Sequence, residues 1–420
     1  NYANDLGIGV IITDHHIPDE KLPNAYAVLN PKQKGCAYPF KGLCGCGVAF
    51  KLISALSEKC GADSNVGLKH LDLVALATSA DMVPILDENR VLVHNGLETL
   101  EQAEKPGIYQ LLVQTGLVGE SLNVGKLVFG LAPKINAAGR MGDANRTVEL
   151  LTTSDKARAE ELASILIREN KRRQLIQEDV VNDAIRMVHA QVDLAQDKVV
   201  IIGSKGWHPG VIGIVASRIK DEFSRPAIII SFDEDGIGKG SARSIPQLDL
   251  YEALSHASKF LEGFGGHPMA AGMTIREDKF ENFKSIFLRN VNKILAEEDL
   301  IPRISIDGEM ALTDINSRFM RFLEKLGPFG PGNMRPKFAS RNLSISGQPR
   351  LIGNGEHVRF TVSQNGRNYP AIGFKLSSHY EDLIRGVPID LAYVVEVNEW
   401  QGKSMIQLNV RDIQIPNKPN

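Results

Sequence analysis

Three observations in this 420-residue sequence predict an α/β protein of several domains that ends in a small β-barrel. Short apolar runs alternate with helically spaced segments through the first two thirds of the chain. Residues 154–192 carry one helical pattern that neither Gly nor Pro interrupts. Beyond Gly327-Pro328-Phe329-Gly330-Pro331-Gly332 the pattern changes to short alternating segments separated by Gly- and Asn-containing turns. At roughly 100–200 residues per domain, the length suits two or three domains.

Gly7-Ile8-Gly9 leads into Val10-Ile11-Ile12, a short buried-type strand that ends at Thr13-Asp14-His15-His16. A loop rich in Pro, Asn, Lys and Gly follows from Pro18 to Gly47. Val48 to Leu56 has helical spacing, and Leu68 to Ala77 reads as a helix running toward Thr78-Ser79-Ala80-Asp81. Ser154 can cap the long helix, whose Asp155, Glu160 and Glu161 suit its positive end. At about 1.5 Å per residue it spans about 55–60 Å, a length that often bridges domains. Its Arg168, Lys171, Arg172 and Arg173 read first as a solvated face and second as phosphate contacts.

A second α/β unit then begins. Lys198 to Gly203 is a strand, Val211 to Ile219 a helix, and Ala227 to Ser231 a strand. Gly236 to Ser244 reads as a Gly- and Ser-rich turn, Gly263 to His267 as a second glycine cluster, and Phe280 to Glu297 as a helix. Gly327 to Gly332 is a rigid, linker-like run. The segments Leu343–Ile345, His357–Val362, Tyr369–Phe374, Ile389–Val397 and Ser404–Val410 fit a Greek-key barrel of the OB type. The expected segments are 1–153, 154–192, 193–297 and 298–417.

Lys and Arg number 48 and Asp and Glu 50, a formal charge of −2. That excludes a bulk polybasic coat, though not a local basic groove. Hydrophobic content of 43% and charged content of 23% exclude a disordered chain. No apolar run approaches the roughly 18 residues of a membrane span, and the N-terminus carries no signal-peptide pattern. The first residue is Asn1 and the chain already enters a strand by Val10, so an N-terminal portion is expected beyond this sequence. Four cysteines are too few for a disulfide framework, and Cys44-Gly45-Cys46 is too tight for the usual zinc knuckle. They read as small buried residues in a reducing compartment, the cytoplasm by default.

Asp14-His15-His16 combines carboxylate and imidazole, ligand types for Mn2+, Zn2+ and, on the oxygen side, Mg2+. Asp81 follows an apolar helix, and if buried it needs a partner, either a cap or a metal. Lys134 to Asp143 sets Arg140 and Asn136 among small residues, suited either to phosphate or to a tight turn with a salt bridge. Gly240-Ser241-Ala242-Arg243-Ser244 joins a close-approach glycine, hydroxyls and a guanidinium, which suits an anion cradle as well as a plain turn. Gly265-Gly266-His267-Pro268 sets an imidazole beside permissive backbone. There is no GxxxxGK[ST], HExxH or GxSxG run, so those chemistries lack their motifs.

Together these runs resemble the DHH phosphoesterase superfamily, most closely its RecJ branch of single-strand-specific DNA exonucleases. The resemblance covers nearly the whole chain. It rests on Ile12-Thr13-Asp14-His15-His16, Ala77 to Pro84 (ATSADMVP) and Ile135 to Met141 (INAAGRM), then on Gly206 to Gly213 (GWHPGVIG) and Gly265 to Gly272 (GGHPMAAG), in that order. It implies an incomplete DHH parallel-sheet domain, a long connecting helix, a DHHA1-type domain and a C-terminal OB-fold. It also implies a two-metal centre of Mn2+ or Mg2+ that cuts the phosphodiester nearest a 5′ end of single-stranded DNA, releasing 5′-mononucleotides in repair and recombination. By that matching His15 and Asp81 are metal ligands, His16 contacts the scissile phosphate and Asp14 orients the pair. Asn136, Arg140, Ser241, Arg243, Gly265, Gly266 and His267 face the nucleic acid. Phe360, Tyr369 and Phe374 are candidate stacking residues, or else barrel core.

The family's further aspartates precede DHH, so the remaining metal ligands are expected in that N-terminal portion and this chain alone is expected to be inactive. A helicase or single-strand-binding protein is the expected partner, and a membrane is not. Two other functions compete: a phosphodiesterase for cyclic dinucleotides or short RNA, and a non-catalytic DNA-binding scaffold. The barrel argues against the first, and Asp14, His15, His16 and Asp81 together argue against the second.

Overall fold

The computed structural model describes residues 2–400 and 403–416. Contacts gather the chain into two compact units. One comprises Asn1–Ala103, Val118–Ala132 and Ile304–Asn420, the other Glu104–Leu117 and Pro133–Arg303. The barrel thus shares a unit with the opening residues, and the long helix shares the other with the second α/β sheet. The expected end of the barrel segment at residue 417 lies outside the described residues.

In the first unit, β1 (Ile11–Thr13) pairs in parallel with β2 (Ala27–Leu29), Ile12 opposite Val28. Ile11 is 57% exposed, and Ile8, Ile17 and Tyr26 around it are exposed too. The Gly45–Lys59 helix starts at Cys44, whose thiol accepts from the Gly47 N–H at 3.3 Å. Burial pushes the Cys46 thiol up to about 11, which keeps it protonated and unreactive. All four cysteines are free, but Cys60 is exposed, so the buried reading holds fully for Cys44 alone. The Leu71–Ala80 helix packs against the Asp87–Gln102 helix so closely that a Cβ at Gly96 would sit 2.3 Å from the Leu71 carbonyl oxygen.

The expected linker at Gly327 to Gly332 is a docked loop instead. Arg90 donates to the carbonyls of Lys325 and Gly327 at 2.8 and 2.9 Å, and the Ile85 N–H donates to Pro331 O at 2.6 Å. A Cβ at Gly330 would lie 2.6 Å from Ile85 Cγ1, so the small residues serve close packing rather than freedom.

The barrel runs β9 (Lys337–Ile345), β10 (Arg350–Ile352), β11 (His357–Gln364), β12 (Arg367–Gly373), β13 (Ile389–Trp400) and β14 (Lys403–Gln414), with β8 (Gly308–Glu309) added beside β9. Its order is β10-β11-β12-β14-β13-β9-β8, and a short β11–β9 pairing partly closes the ring, the OB arrangement. Alternation does the sorting: Val358, Phe360 and Val362 point into the core while Arg359 is exposed between them.

In the second unit the sheet order is β3 (Val200–Lys205), β4 (Ala227–Phe232), β5 (Ile237–Arg243), β7 (Ala270–Arg276), β6 (Leu261–His267). β3 and β4 are parallel and the remaining pairs antiparallel. Every residue of β4 is buried, because both faces are covered. Ile228 and Ile230 meet Phe283, Phe287 and Val291 on one side. Ile229 meets Val215 and the long helix's Val180, Ala184 and Val188 on the other. That helix runs Lys156–Gln191, about 54 Å at 1.5 Å per residue. Asp155, not Ser154, caps it, accepting from the Ala157 and Arg158 N–H groups. Its middle is not a uniform solvated face, since Arg173 is buried. No helix among the described residues is long and apolar enough to cross a membrane.

Gly96→Ala is expected to lower stability by about 1–3 kcal/mol, because backbone rather than a yielding side chain blocks the added methyl. Urea unfolding of the variant against the parent checks this.

Candidate metal centre and anion-binding face

β1 carries the chain to Asp14, whose N–H is held by the Leu29 carbonyl of β2 at 3.0 Å. One carboxylate oxygen of Asp14 then accepts from the His15 N–H at 2.7 Å, the His16 N–H at 3.2 Å and His16 Nδ1 at 2.8 Å. The His16 bond holds the Asp14 carboxyl down at about 2, so it stays ionised through the neutral range. An ionised carboxylate only accepts, which assigns the proton to His16 Nδ1.

Asp81 ends the Leu71–Ala80 helix, its N–H bound to the Ala77 carbonyl at 2.9 Å. Met82 after it takes φ 57°, a strained left-handed turn for a side-chain-bearing residue. Asp81 Oδ2 lies 3.4 Å from His15 Nε2. Two ligand atoms each about 2.1 Å from a shared cation stand about 3.0–3.4 Å apart for octahedral or tetrahedral angles. His15 Nδ1 is buried with no hydrogen-bond partner, and Asp14, His15 and His16 present ligand atoms within 4.8 Å of one another. These donors fit a divalent cation.

The second unit gathers a different chemistry. Gly236 to Ser244 is not a turn, because Ile237–Arg243 is a central strand paired on both sides. Period two sends Gly238, Gly240 and Ala242 into the core and Lys239, Ser241 and Arg243 to the other face. Glycine is required there because a Cβ at Gly238 or Gly240 would meet Ile230, Phe232 or Met273 at 2.6–2.8 Å. Arg243 Nη1 donates to Ser241 Oγ at 3.1 Å. Gly213, in the first turn of the Ile212–Phe223 helix, approaches both, since a Cβ there would lie 3.2 Å from each.

Lys134 to Asp143 is likewise helical, over Ala132–Met141, rather than a tight turn. Arg140 faces Gly210, whose Cβ would fall 2.6 Å from the Arg140 carbonyl oxygen. Arg140, Gly210, Lys239 and Ser241 line a cleft of about 560 Å³ whose other wall includes Phe264 and Gly265. Burial, then the charge of Arg140, pulls the Arg243 guanidinium below its ordinary range. No ion pair among the described residues neutralises either arginine. By charge and by donor geometry the cleft suits an anion.

Of the residues singled out in the sequence, the structure brings Arg140, Ser241 and Gly265 to this cleft, and Arg243 stands behind its lining, bonded to Ser241. Asn136 is exposed on its helix, and Gly266 and His267 lie at the end of β6, outside the cleft lining. Lys239, Gly210 and Gly213 are further members, and period two along Gly238 to Arg243 was the signal that could have found Lys239. In the barrel, Phe360 and Tyr369 belong to the core, and Phe374 alone of the three is half exposed, 5.2 Å from His357 in an edge-on ring pair. A larger cleft of about 990 Å³ beside Arg90 and Phe329 holds none of the candidate residues.

Family models match this chain at residues 1–78 (DHH family, N-terminal domain), 194–293 (DHHA1 domain) and 306–412 (RecJ OB domain). These define the class, a DHH–DHHA1–OB protein. The chain is 38% identical over 98% of its length to the single-stranded-DNA-specific exonuclease RecJ of Bacillus subtilis, covering 52% of that protein. It is 36% identical over 98% of its length to RecJ of Dickeya dadantii, covering 74%. The crystal structure of RecJ in complex with Mn2+ from Thermus thermophilus matches 99% of this chain and 59% of that one, with a TM-score of 0.84 and 30% identity. The chain belongs to the RecJ family. It spans about half the length of the Bacillus subtilis relative.

Gly210→Ala is expected to push the Arg140 backbone out of the cleft and weaken its hold on anions. Thermal stabilisation by inorganic phosphate, measured for parent and variant, reads this directly: the shift should shrink in the variant.

Proposed function

We propose that the protein is a single-stranded-DNA-specific 5′–3′ exonuclease that hydrolyses phosphodiester bonds with two divalent metal ions and releases 5′-mononucleotides in DNA repair and recombination. The observation that carries the reading is the 3.4 Å approach of His15 Nε2 to Asp81 Oδ2 beside the Asp14-clamped His16. The relatives named above are single-stranded-DNA-specific exonucleases, and a matching structure is bound to Mn2+.

His15 and Asp81 would hold a Mn2+ or Mg2+ ion, with further ligands completing its shell. Such ions acidify water and neutralise charge on phosphoryl oxygens. Asp14 sets the direction of His16, whose exposed ring would contact the scissile phosphate. Arg140, Ser241 and Arg243 would take the terminal 5′ phosphate, and Asn136, Gly265, Gly266 and His267 would face the strand. The half-exposed Phe374 offers a base a stacking surface. A helicase or single-strand-binding protein would deliver the single strand, and free cysteines suit a reducing cytoplasm.

Digestion of 5′-labelled single-stranded DNA with Mn2+ by the full-length protein tests this. Release of labelled mononucleotide is expected, reduced about 100-fold or more in His15→Ala. Undiminished release by the variant would remove His15 from the site. Bound but uncut DNA with the parent would mark a scaffold instead.

A further inference from the structure

Arg173 is the one buried Lys or Arg among the described residues, 7% exposed on the Lys156–Gln191 helix. Its guanidinium donates to Asn170 Oδ1 at 3.3 and 3.1 Å and to Gln177 Oε1 at 2.8 Å. Both acceptors are neutral amides. Glu169, one turn earlier on the same helix, is engaged by Arg146 instead. A buried charge answered only by amide dipoles is destabilising, and an apolar side chain of similar volume commonly does better.

The neighbourhood makes this worse. Burial, and then Arg140, pulls the Arg173 guanidinium below its usual range. Burial, and then Arg173, does the same to the Lys134 ammonium. The packing accounts for it: a Cβ at Gly142 would meet Glu169 Oε1 at 2.6 Å, so the end of the helix bearing Lys134 and Arg140 runs beside the turn that precedes Arg173. Lys134, Arg140, Arg173 and Arg243 therefore form a cationic cluster within one unit, and no ion pair among the described residues involves any of them. Ordinary packing has no use for a buried Arg173 with three further unpaired cations in its unit, whereas an anion does.

We propose that Arg173 is a positioning and specificity residue for a terminal phosphoryl group, its unanswered charge reinforcing Arg140 in the selection of a phosphomonoester end. The inference rests on the anion-site reading given under Proposed function. A monoester carries about −1.5 to −2 at neutral pH, more than one internal diester, so a buried positive charge favours the 5′-phosphorylated end over a 5′-hydroxyl end. Arg173 does this without touching the phosphate, through the potential that its own buried charge adds at the exposed Arg140 and the half-buried Lys134.

The test uses the full-length protein in EDTA, so that binding is read without cleavage. Affinities for the same single-stranded DNA with a 5′-phosphoryl and a 5′-hydroxyl end are compared for the parent, Arg173→Met, Arg173→Lys and Arg140→Ala, with a melting temperature for each. In Arg173→Met the preference for the phosphorylated end should fall roughly five- to ten-fold, the scale of a modest coupling between sites. Binding of the hydroxyl-ended strand should stay within about two-fold, and the melting temperature should hold or rise. Arg173→Lys should keep most of the preference. An unchanged preference in Arg173→Met overturns the proposal, as does equal weakening toward both strands with a lower melting temperature, the mark of a structural role. If Arg140→Ala also keeps the full preference, the anion-site reading itself fails.

Discussion

A single oxygen of Asp14 accepts three hydrogen bonds, and the geometry of the candidate metal centre depends on it. Two of those bonds come from backbone N–H groups and fix how the chain leaves β1. The third comes from the His16 ring and fixes its tautomer. With His16 drawn back onto Asp14, the His15 ring lies 4.2 Å from the His16 ring and reaches Asp81 with its Nε2. The Leu71–Ala80 helix delivers Asp81 to that place, and its close seat on the Gly96 surface limits how far it can drift. Strand end, carboxylate clamp and helix seat thus form one chain of cause from sequence to ligand geometry.

The second unit reaches its chemistry by the opposite route, through charge left uncompensated. Its sheet is packed on both faces with apolar side chains, as a stable α/β layer requires. Against that background Lys239, Ser241 and Arg243 project from one face of β5, and Arg140 meets them from a helix that Gly210 allows to come close. No acidic side chain among the described residues pairs with either arginine. Arrangements that sacrifice stability in this way are expected where function rather than folding sets the residue.

Much of this architecture could be read directly from the residues, because long helices and alternating strands report their own period. The helix over Lys156–Gln191 and the barrel strands are of this kind. Two of the misreadings share one physical origin, since glycine and proline mark close approach as well as turns and linkers. Gly238 and Gly240 suggested a turn, but they are small because Ile230, Phe232 and Met273 occupy the space where a side chain would go. Gly330 suggested a linker, but it is small because Ile85 lies against it. A partner several elements away decides between these meanings, and local sequence does not contain it. The DHH run was legible as a ligand set, whereas the pairing of His15 with Asp81 needed the fold to bring residues 66 positions apart together. Arg173 was hidden within a charged stretch, where composition suggests solvent and only tertiary packing reveals burial.

Net charge conceals the same principle. A formal charge of −2 describes a chain with no bias toward polyanions, yet the distribution of unpaired cations tells otherwise. In the barrel, Arg350 and Arg359 stand directly opposite one another across β10 and β11, and neither has an ion-pair partner among the described residues. Like charges opposed across antiparallel strands repel. His357 lies two residues before Arg359 on β11, and its ring meets the half-exposed Phe374, so repelling cations and an available aromatic surface occur close together. Both units thus carry positive charge that their own carboxylates leave unanswered, and an anion bound at either place would supply the missing counter-charge and a gain in stability. That gain requires no excess of basic residues in the whole chain, only the withholding of acidic partners at selected places.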